Sequence, residues 1–209
     1  MSVISVMELI CPDCRSPLSG LSTDRIFTCA DCGSAILLHE GRSEVFPLHM
    51  AVAHPTSGQM VWLPFWRMAV AISVADPDGV DVTARSVVAQ VTHVWVCAFF
   101  EHRPACFGNP GFDLTARRAA PDFLTPLPRG LSLCGGARTA DQASRYARVF
   151  ITDMLDRQKD VTGYDIRVTV GPMEYWGIPF AFDKENRRLT DLTGGKSYSA
   201  SILEILPWE

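Results

Sequence analysis

Four of the seven cysteines in this chain stand in two closely spaced pairs near the N-terminus, a pattern typical of metal binding. Cys11 and Cys14 form the first pair, and Cys29 and Cys32 form the second pair after fourteen intervening residues. Two residues between cysteines allow one tight turn to bring both thiolates to a single cation, at metal–sulfur distances of about 2.3 Å. The odd cysteine count also argues against a fully paired disulfide framework. The sequence therefore predicts one metal ion bound by four thiolates.

The elements that position these cysteines are two turns and the short strands between them. Gly33 follows the second pair and suits a turn position with positive φ, whereas Arg15 occupies the equivalent place after the first pair. We therefore expect the first turn to be slightly less regular. Residues 18–28 read as a turn around Gly20 and a short strand, and residues 35–39 as another strand.

Two cysteine turns joined by short antiparallel strands resemble the zinc-ribbon family over about residues 8–40. The resemblance implies one structural Zn2+ per chain, with four ligands: Cys11, Cys14, Cys29 and Cys32. Iron in a rubredoxin-like site uses the same four thiolates, so the ligand set leaves both metals open. Zinc is favoured because a segment of about 35 residues cannot bury enough surface to fold alone, and structural zinc supplies about 10–16 kcal/mol.

A catalytic metal is disfavoured because four protein thiolates close the coordination shell. His39 is an alternative ligand, but four cysteines already suffice. The nearby His49 and His54 have no compact ligand spacing to it, and we predict that all three histidines are solvated in a connection.

The charge of the chain indicates which class of partner it binds. The chain has a net charge of −4, and residues 1–50 contain three arginines against six acidic residues. Phosphate binding requires the opposite sign, so a nucleic-acid partner is disfavoured. We expect instead a protein partner or a homo-oligomer.

The longest apolar stretches, residues 60–75 and 87–100, are interrupted by polar residues, so no transmembrane segment is predicted. The N-terminus lacks the basic region of a secretion signal, and we expect a cytoplasmic protein.

The remaining pattern predicts an α+β fold. We place a zinc ribbon at residues 1–42, a linker at 43–59 and an α+β domain at 60–209, with a mainly antiparallel sheet and one main amphipathic helix. The helix begins at a capping box formed by Thr139 and Gln142 and carries apolar residues at helical spacing to Met154. The predicted strands lie at residues 61–74, interrupted or begun at Pro64, and at residues 87–100, 166–170, 175–182, 188–191 and 198–206. Both faces of residues 87–100 are apolar, so we expect that strand at the centre of the sheet.

A short internal similarity indicates two related β-hairpin units. Residues 60–65 and 174–180 each contain an aromatic residue, an aliphatic residue and then Pro-Phe. A match of this length also arises by chance, so both explanations stay open. A ribbon followed by such strands also resembles uncharacterised bacterial zinc-ribbon proteins, and this resemblance implies no activity.

Three further motifs contain residues that could form catalytic or metal sites. Cys134 precedes two glycines and the predicted helix, a place where a thiol can be activated, but no histidine or acid is tied to it by spacing. Residues 193–197 are interpreted as a turn rather than a phosphate loop. His93 and Cys97 share a strand face but lie about 13 Å apart, too far to share a metal, and His102 and Cys106 do not complete a site. We expect Cys97 to be a small buried apolar residue.

The sequence thus favours a non-enzymatic adapter or accessory subunit with a structural zinc ion. Its aromatic-rich β domain is expected to contact a protein partner through six residues: Trp62, Phe65, Trp66, Trp176, Phe180 and Trp208. The alternatives are an enzyme of unknown reaction that uses Cys134, or a nucleic-acid-associated ribbon protein, which the acidic charge disfavours. We predict no catalytic residues.

Overall fold

The computed structural model describes residues 9–39, 42–53, 59–85, 90–99, 109–117, 119–124, 133–157 and 161–200. These residues form an α+β fold with two sheets, as predicted. The strands are β1 (Ile26–Thr28), β2 (Ala35–His39), β3 (Arg42–Phe46), β4 (Leu48–Met50), β5 (Gln59–Ala75), β6 (His93–Cys97), β7 (Asp165–Asp183), β8 (Arg188–Asp191) and β9 (Ser197–Ser199). The described α-helices are α1 (Pro110–Ala116) and α2 (Ala140–Asp156). Neither of them is long and apolar enough to cross a membrane.

The smaller sheet is an antiparallel meander of β1, β2 and β3 beside the four cysteines. We call residues 9–39 and 42–46 the cysteine unit. Its core is a small cluster that consists of Cys11, Leu18, Phe27, Cys29 and Ile36. The remaining described residues form the sheet unit.

The segment that we interpreted as a linker without secondary structure contains two strands, and that interpretation is wrong. β3 pairs with β2, and β4 pairs in parallel with β7. Pro47 separates the two strands, so the proline marks only the point where the chain passes from one sheet to the other. Phe46 stacks on Trp66 at 5.6 Å and meets Tyr175 edge-on at 5.2 Å, which buries part of the supposed linker against the sheet unit.

The larger sheet has the strand order β6-β5-β7-β8-β9, with β4 also paired to β7. Its two long strands, β5 and β7, are antiparallel over nearly their whole length. We predicted two separate strands where β7 is continuous, and this prediction is wrong. The register shifts between Met68 and Val70, so that Gly171 and Pro172 together oppose one residue of β5. A bulge accepts a proline without ending the strand, which explains why the Gly-Pro pair is not a turn.

β6 was predicted at the centre of the sheet, but in the described part of the chain it pairs with β5 alone and lies at the edge. Its two faces are nevertheless both buried. Val94 and Val96 belong to the cluster beneath α2, and Trp95 and Cys97 belong to the cluster on the opposite face. Helix α1 covers the edge, where the backbone N–H of Trp95 donates to Thr115 Oγ1 at 2.8 Å. An apolar strand therefore need not be central when a helix closes its edge.

Helix α2 confirms the predicted capping box. Thr139 Oγ1 accepts from the backbone N–H of Gln142, and the Gln142 side chain accepts from the backbone N–H of Thr139. The buried face of the helix contains Ala143, Ala147, Phe150, Ile151 and Leu155. This face covers one side of the larger sheet.

The two Pro-Phe segments pair directly with each other in β5 and β7. The centre of the pairing is Leu63 opposite Ile178, with Pro64 opposite Gly177 and Trp62 opposite Pro179. Beyond this centre, β6 pairs with β5 from Phe65 onward and β8 pairs with β7 from Phe180 onward. The arrangement has a local two-fold register, as two related hairpins would give, and their relatedness stays a prediction.

Candidate metal centre

Each cysteine pair lies on a turn with the same backbone hydrogen bonds. In the first turn the Arg15 N–H donates to the Cys11 carbonyl at 3.0 Å, and in the second the Gly33 N–H donates to the Cys29 carbonyl at 2.8 Å. Arg15 has φ of 66° and Gly33 has φ of 77°, so both adopt the left-handed conformation. The expected irregularity of the first turn is not seen. The turn instead holds Arg15 in a conformation that costs a non-glycine residue about 1–2 kcal/mol.

The two turns bring the four predicted sulfur atoms together. All four Sγ atoms lie within 4.8 Å of one another, with separations of 3.4 Å between Cys14 and Cys29 and 3.6 Å between Cys11 and Cys32. A tetrahedral metal site with bonds of about 2.3 Å places its sulfurs about 3.8 Å apart. The arrangement therefore has the size of a four-thiolate metal site. It is the one group of this kind found among the described residues.

Burial divides the four thiols into two kinds. Cys11 and Cys29 are buried, and Cys14 and Cys32 are exposed. Burial raises the pKa of Cys29 to about 12 and also raises the pKa of Cys11. Hydrogen bonds to the side chain and backbone of Ser16 lower the pKa of Cys14 to about 6. A bound cation would offset the cost of keeping the two buried thiolates charged.

A serine accompanies each turn, and our sequence interpretation missed both. Ser16 Oγ lies 3.4 Å from Cys14 Sγ, and Ser34 Oγ lies 3.3 Å from Cys32 Sγ. Ser34 also donates to Asp13 Oδ2 at 2.6 Å, which links the second turn to the first. The signal was present in the sequence, because both turns read Cys-x-Asp-Cys-x-Ser. Such residues around the ligands orient them and tune the site.

The cysteine unit joins the sheet unit at Gly136. Ile26 and Gly136 exchange two backbone hydrogen bonds, of 2.8 Å and 2.9 Å. A Cβ at Gly136 would overlap the Tyr175 hydroxyl, and a Cβ at Gly135 would overlap the Asp24 carboxylate. The glycine pair that we considered part of a reactive loop is therefore required for close approach between the units.

The structure does not support Cys134 as an activated nucleophile. Burial, together with the charge of the nearby Asp24 carboxylate, raises the pKa of Cys134 to about 12. Helix α2 has its N-cap at Thr139, five positions beyond Cys134. The backbone N–H of Cys134 donates to the Trp62 carbonyl at 3.0 Å, which ties this loop to β5. A raised thiol pKa is the opposite of what nucleophilic catalysis needs.

The other candidate residues that the structure describes do not form a second metal site. Cys97 is fully buried, as predicted, and its Sγ lies 3.3 Å from Asn109 Oδ1. His49 is not a solvated linker residue, because it lies in β4 and stacks on Trp176 at 5.0 Å. His39 is at the exposed end of β2. His54, His102 and Cys106 lie outside the described residues.

Five of the six aromatic residues expected at a partner surface lie in the described part of the chain, and all five are buried. Trp62, Phe65, Trp66, Trp176 and Phe180 are at most 6% exposed, and Trp208 lies outside the described residues. They fill the two faces of the larger sheet. An aromatic contact surface made from these five residues is therefore ruled out, because the fold already uses them as core.

The chain was compared with protein-family models, with curated proteins and with solved structures, and none of the three comparisons found a match.

Proposed function

We propose that this chain is a non-enzymatic zinc-ribbon protein that acts as an adapter or accessory subunit for a protein partner. One structural Zn2+ would be held by the Sγ atoms of Cys11, Cys14, Cys29 and Cys32. The observation that carries the proposal is the convergence of these four atoms within 4.8 Å, on two turns with matching hydrogen bonds. Zinc favours such a tetrahedral four-thiolate set, and in structural sites it ties distant parts of a chain together.

The small core of the cysteine unit supports a structural role for the metal. Apart from the two buried ligands, its central cluster contains Leu18, Phe27 and Ile36. Three apolar side chains of this size contribute only about 5–9 kcal/mol by burial, which ordering the chain largely cancels. A bound ion adds the stabilisation that the core lacks.

Two observations favour binding over catalysis. Four thiolates complete the coordination of zinc, so no position remains for water or substrate. The best alternative nucleophile, Cys134, has a raised pKa. The protein would then act through its surface.

The exposed face of the cysteine unit is the part that zinc would present to a partner. Strand β3 lies at the edge of its sheet, four of its five residues are exposed, and Val45 is 41% exposed. The acidic charge of this region favours a partner with a basic surface.

Metal analysis tests the zinc site directly. We expect about one zinc per chain in protein purified without added metal, and loss of that zinc in Cys14→Ser. Cys14 is exposed, so the substitution creates no buried cavity. Cys134→Ser is the matched control and should retain the metal. Folded, metal-free protein or a chain that holds iron would contradict the zinc assignment.

Partner binding needs a second experiment. We would tag the full chain at its native level of expression, cross-link, and purify through size exclusion. The proposal expects a stoichiometric protein partner that is lost in Cys14→Ser and kept in Cys134→Ser. A turnover activity that survives zinc removal but disappears in Cys134→Ser would instead establish an enzyme.

A further inference from the structure

A second candidate site lies in an open cleft of about 650 Å³ between β4, β5, β7 and the segment around residue 122. Its walls include His49, Arg67, Asp122, Phe123, Glu174 and Trp176. None of these residues is one of the four candidate metal ligands, and none lies at the contact around Gly136 between the cysteine unit and the sheet unit. Clefts of this size accommodate small organic ligands.

The polar part of the cleft is the Arg67–Glu174 ion pair, in which each side chain keeps hydrogen-bonding atoms without a partner. Arg67 Nη1 donates to Glu174 Oε2 at 2.7 Å, and Trp176 Nε1 donates to the same oxygen at 3.0 Å. Among the described residues, Glu174 Oε1 accepts no hydrogen bond and Arg67 Nη2 donates none, whereas Arg67 Nε also lacks an acceptor but is buried away from the cleft. A guanidinium has five N–H donors, so Arg67 keeps donors to spare. The cleft thus offers a free donor beside a free acceptor.

Buried tryptophan rings hold the side chains of Arg67 and Glu174 in position. The Arg67 guanidinium lies 5.9 Å from the ring centroid of buried Trp95, and its side chain is 16% exposed. Trp176 is 3% exposed and fixes Glu174 through its indole N–H. Both polar groups therefore rest on rigid aromatic supports, as a binding site requires.

The apolar part of the cleft is an aromatic cluster with one open ring. His49 stacks on Trp176 at 5.0 Å, and Phe123 stands nearly perpendicular to both rings, at 5.5 Å and 5.9 Å. Phe123 is 53% exposed although its neighbour Trp176 is almost fully buried. A large exposed aromatic ring at the mouth of a cleft is available for stacking with a planar ligand.

The charge of the cleft selects against anions. Arg67 contributes one positive charge, and Asp122 and Glu174 contribute two negative charges. Burial raises the pKa of Glu174, but the hydrogen bonds from Arg67 and Trp176 outweigh it and lower the pKa overall. Glu174 is therefore ionised at neutral pH. A carboxylate or phosphate ligand would face net negative charge.

We propose that the cleft binds an uncharged planar nitrogen heterocycle of the nucleobase type, as a free base or nucleoside. Ligand N–H groups would donate to Glu174 Oε1, a ligand carbonyl or ring nitrogen would accept from Arg67, and the ring would stack on Phe123. Nucleobases carry adjacent donors and acceptors on one edge and two flat π-faces, which match these three features. The site is independent of the proposed zinc-dependent adapter function.

Calorimetric titration of the full chain with guanosine, guanosine 5′-monophosphate and benzoate tests the ligand class. Guanosine presents two N–H donors beside a carbonyl acceptor, so we expect it to bind. The monophosphate should bind about tenfold more weakly because of the charge of the cleft. Benzoate should not bind detectably. Absence of guanosine binding at millimolar concentration, or equal binding of the monophosphate, would overturn the proposal, as would binding of an oligonucleotide but not of guanosine.

Variants then locate the binding. Phe123→Ala removes an exposed ring and should weaken guanosine binding about tenfold, within the range measured for stacked bases. Glu174→Gln should weaken it by a similar factor because it replaces the charged acceptor. Val149→Ala, at a side chain that is 49% exposed on α2, is the matched control and should have no effect. Unfolding of Glu174→Gln would leave Phe123→Ala as the deciding variant. Equal affinity in Phe123→Ala and Val149→Ala would overturn the assignment of the cleft.

Discussion

The cysteine unit and the sheet unit hold their folds by different means. The sheet unit has an apolar cluster on each face of its sheet, one beneath α2 and the other around Phe65 and Phe180. The cysteine unit has one small cluster, in which two of the five members are candidate metal ligands. The sheet unit thus buries apolar side chains on both faces of its sheet, whereas the cysteine unit has a small core beside its candidate metal site and a contact with the sheet unit.

The smaller sheet shows how that dependence is divided between its two faces. Phe27 and Ile36 face the sulfur cluster, and Ile26 and Ala35, their neighbours in sequence, belong to the large cluster of the sheet unit. Alternation along a strand sends successive side chains to opposite faces, so β1 and β2 are each anchored twice. One anchor is the candidate metal site, and the other is the apolar contact with the sheet unit.

Removing the metal should produce the largest difference in stability between the two units. Cys11→Ser replaces a fully buried ligand, and structural zinc supplies about 10–16 kcal/mol in small domains. We expect the cysteine unit to lose its ordered structure while the sheet unit remains folded. Hydrogen-exchange mass spectrometry should then show lost amide protection in β1 and β2 and retained protection in β5 and β7. Unchanged protection in β1 and β2 would mean that the apolar joint alone holds the cysteine unit.

Truncation in the core of the sheet unit should have the next largest effect. Phe65 is fully buried and contacts Phe99 and Phe180 at ring-centroid distances of 5.6 Å and 6.3 Å. Phe65→Ala should lower the free energy of unfolding by about 3–5 kcal/mol and leave the zinc content unchanged. Urea unfolding with parallel metal analysis measures both quantities. The exposed Phe123→Ala is the control, and an equal loss there would show that burial does not set the difference.

Local sequence signals predicted much of the cysteine unit and the positions of most strands of the larger sheet, but not how those strands pair. Cysteine spacing predicted the site because two-residue turns bring the sulfurs together without help from distant residues. The capping box of α2 was equally local, and the structure confirms it. The repeated serines were also visible in the sequence, but we did not connect them with the sulfurs.

The errors came from pairings between distant segments. Gly171 and Pro172 read locally as a turn, yet they form a bulge because β5 holds the strand on both sides of them. Residues of β4 read as a linker because their partner in β7 lies more than a hundred positions away in the chain. The cleft could not be predicted for the same reason, since Arg67 and Glu174 meet only through the register of those strands.

The contact between the cysteine unit and the sheet unit, at Asp24 and Gly135, predicts a smaller, pH-dependent effect on stability. Asp24 packs against Gly135. Burial raises the pKa of Asp24 above the ordinary value of 3.8, although the hydrogen bond from the backbone N–H of Leu21 acts in the opposite direction. The folded state therefore holds the proton more tightly than the unfolded state. Stability falls as the pH rises from about 3.8 through the folded-state pKa. Asp24→Asn should remove this fall and raise the melting temperature at pH 7 relative to wild type.

Melting curves at pH 4 and pH 7 would compare Asp24→Asn with Asp78→Asn, a substitution in an exposed turn of the sheet unit. Asparagine keeps an oxygen that can accept from the Leu21 N–H, so the local turn is preserved. A gain at pH 7 but not at pH 4 is expected for Asp24→Asn alone. A loss at both pH values would show that the carboxylate stabilises the joint.

The smallest effect should come from the residue that follows each cysteine pair. Arg15 and Gly33 occupy equivalent left-handed positions with φ of 66° and 77°. Arg15→Gly relieves about 1 kcal/mol of strain but increases the freedom of the unfolded chain, for a net gain of about 0.5 kcal/mol. Gly33→Ala introduces the same strain and should lose about 1 kcal/mol. The proposed coupling of zinc binding to folding of this unit predicts opposite shifts in zinc affinity, measured by competition with a chelator. If both variants weakened zinc binding, Arg15 would stabilise its turn through its side chain, and the two turns would not be energetically equivalent.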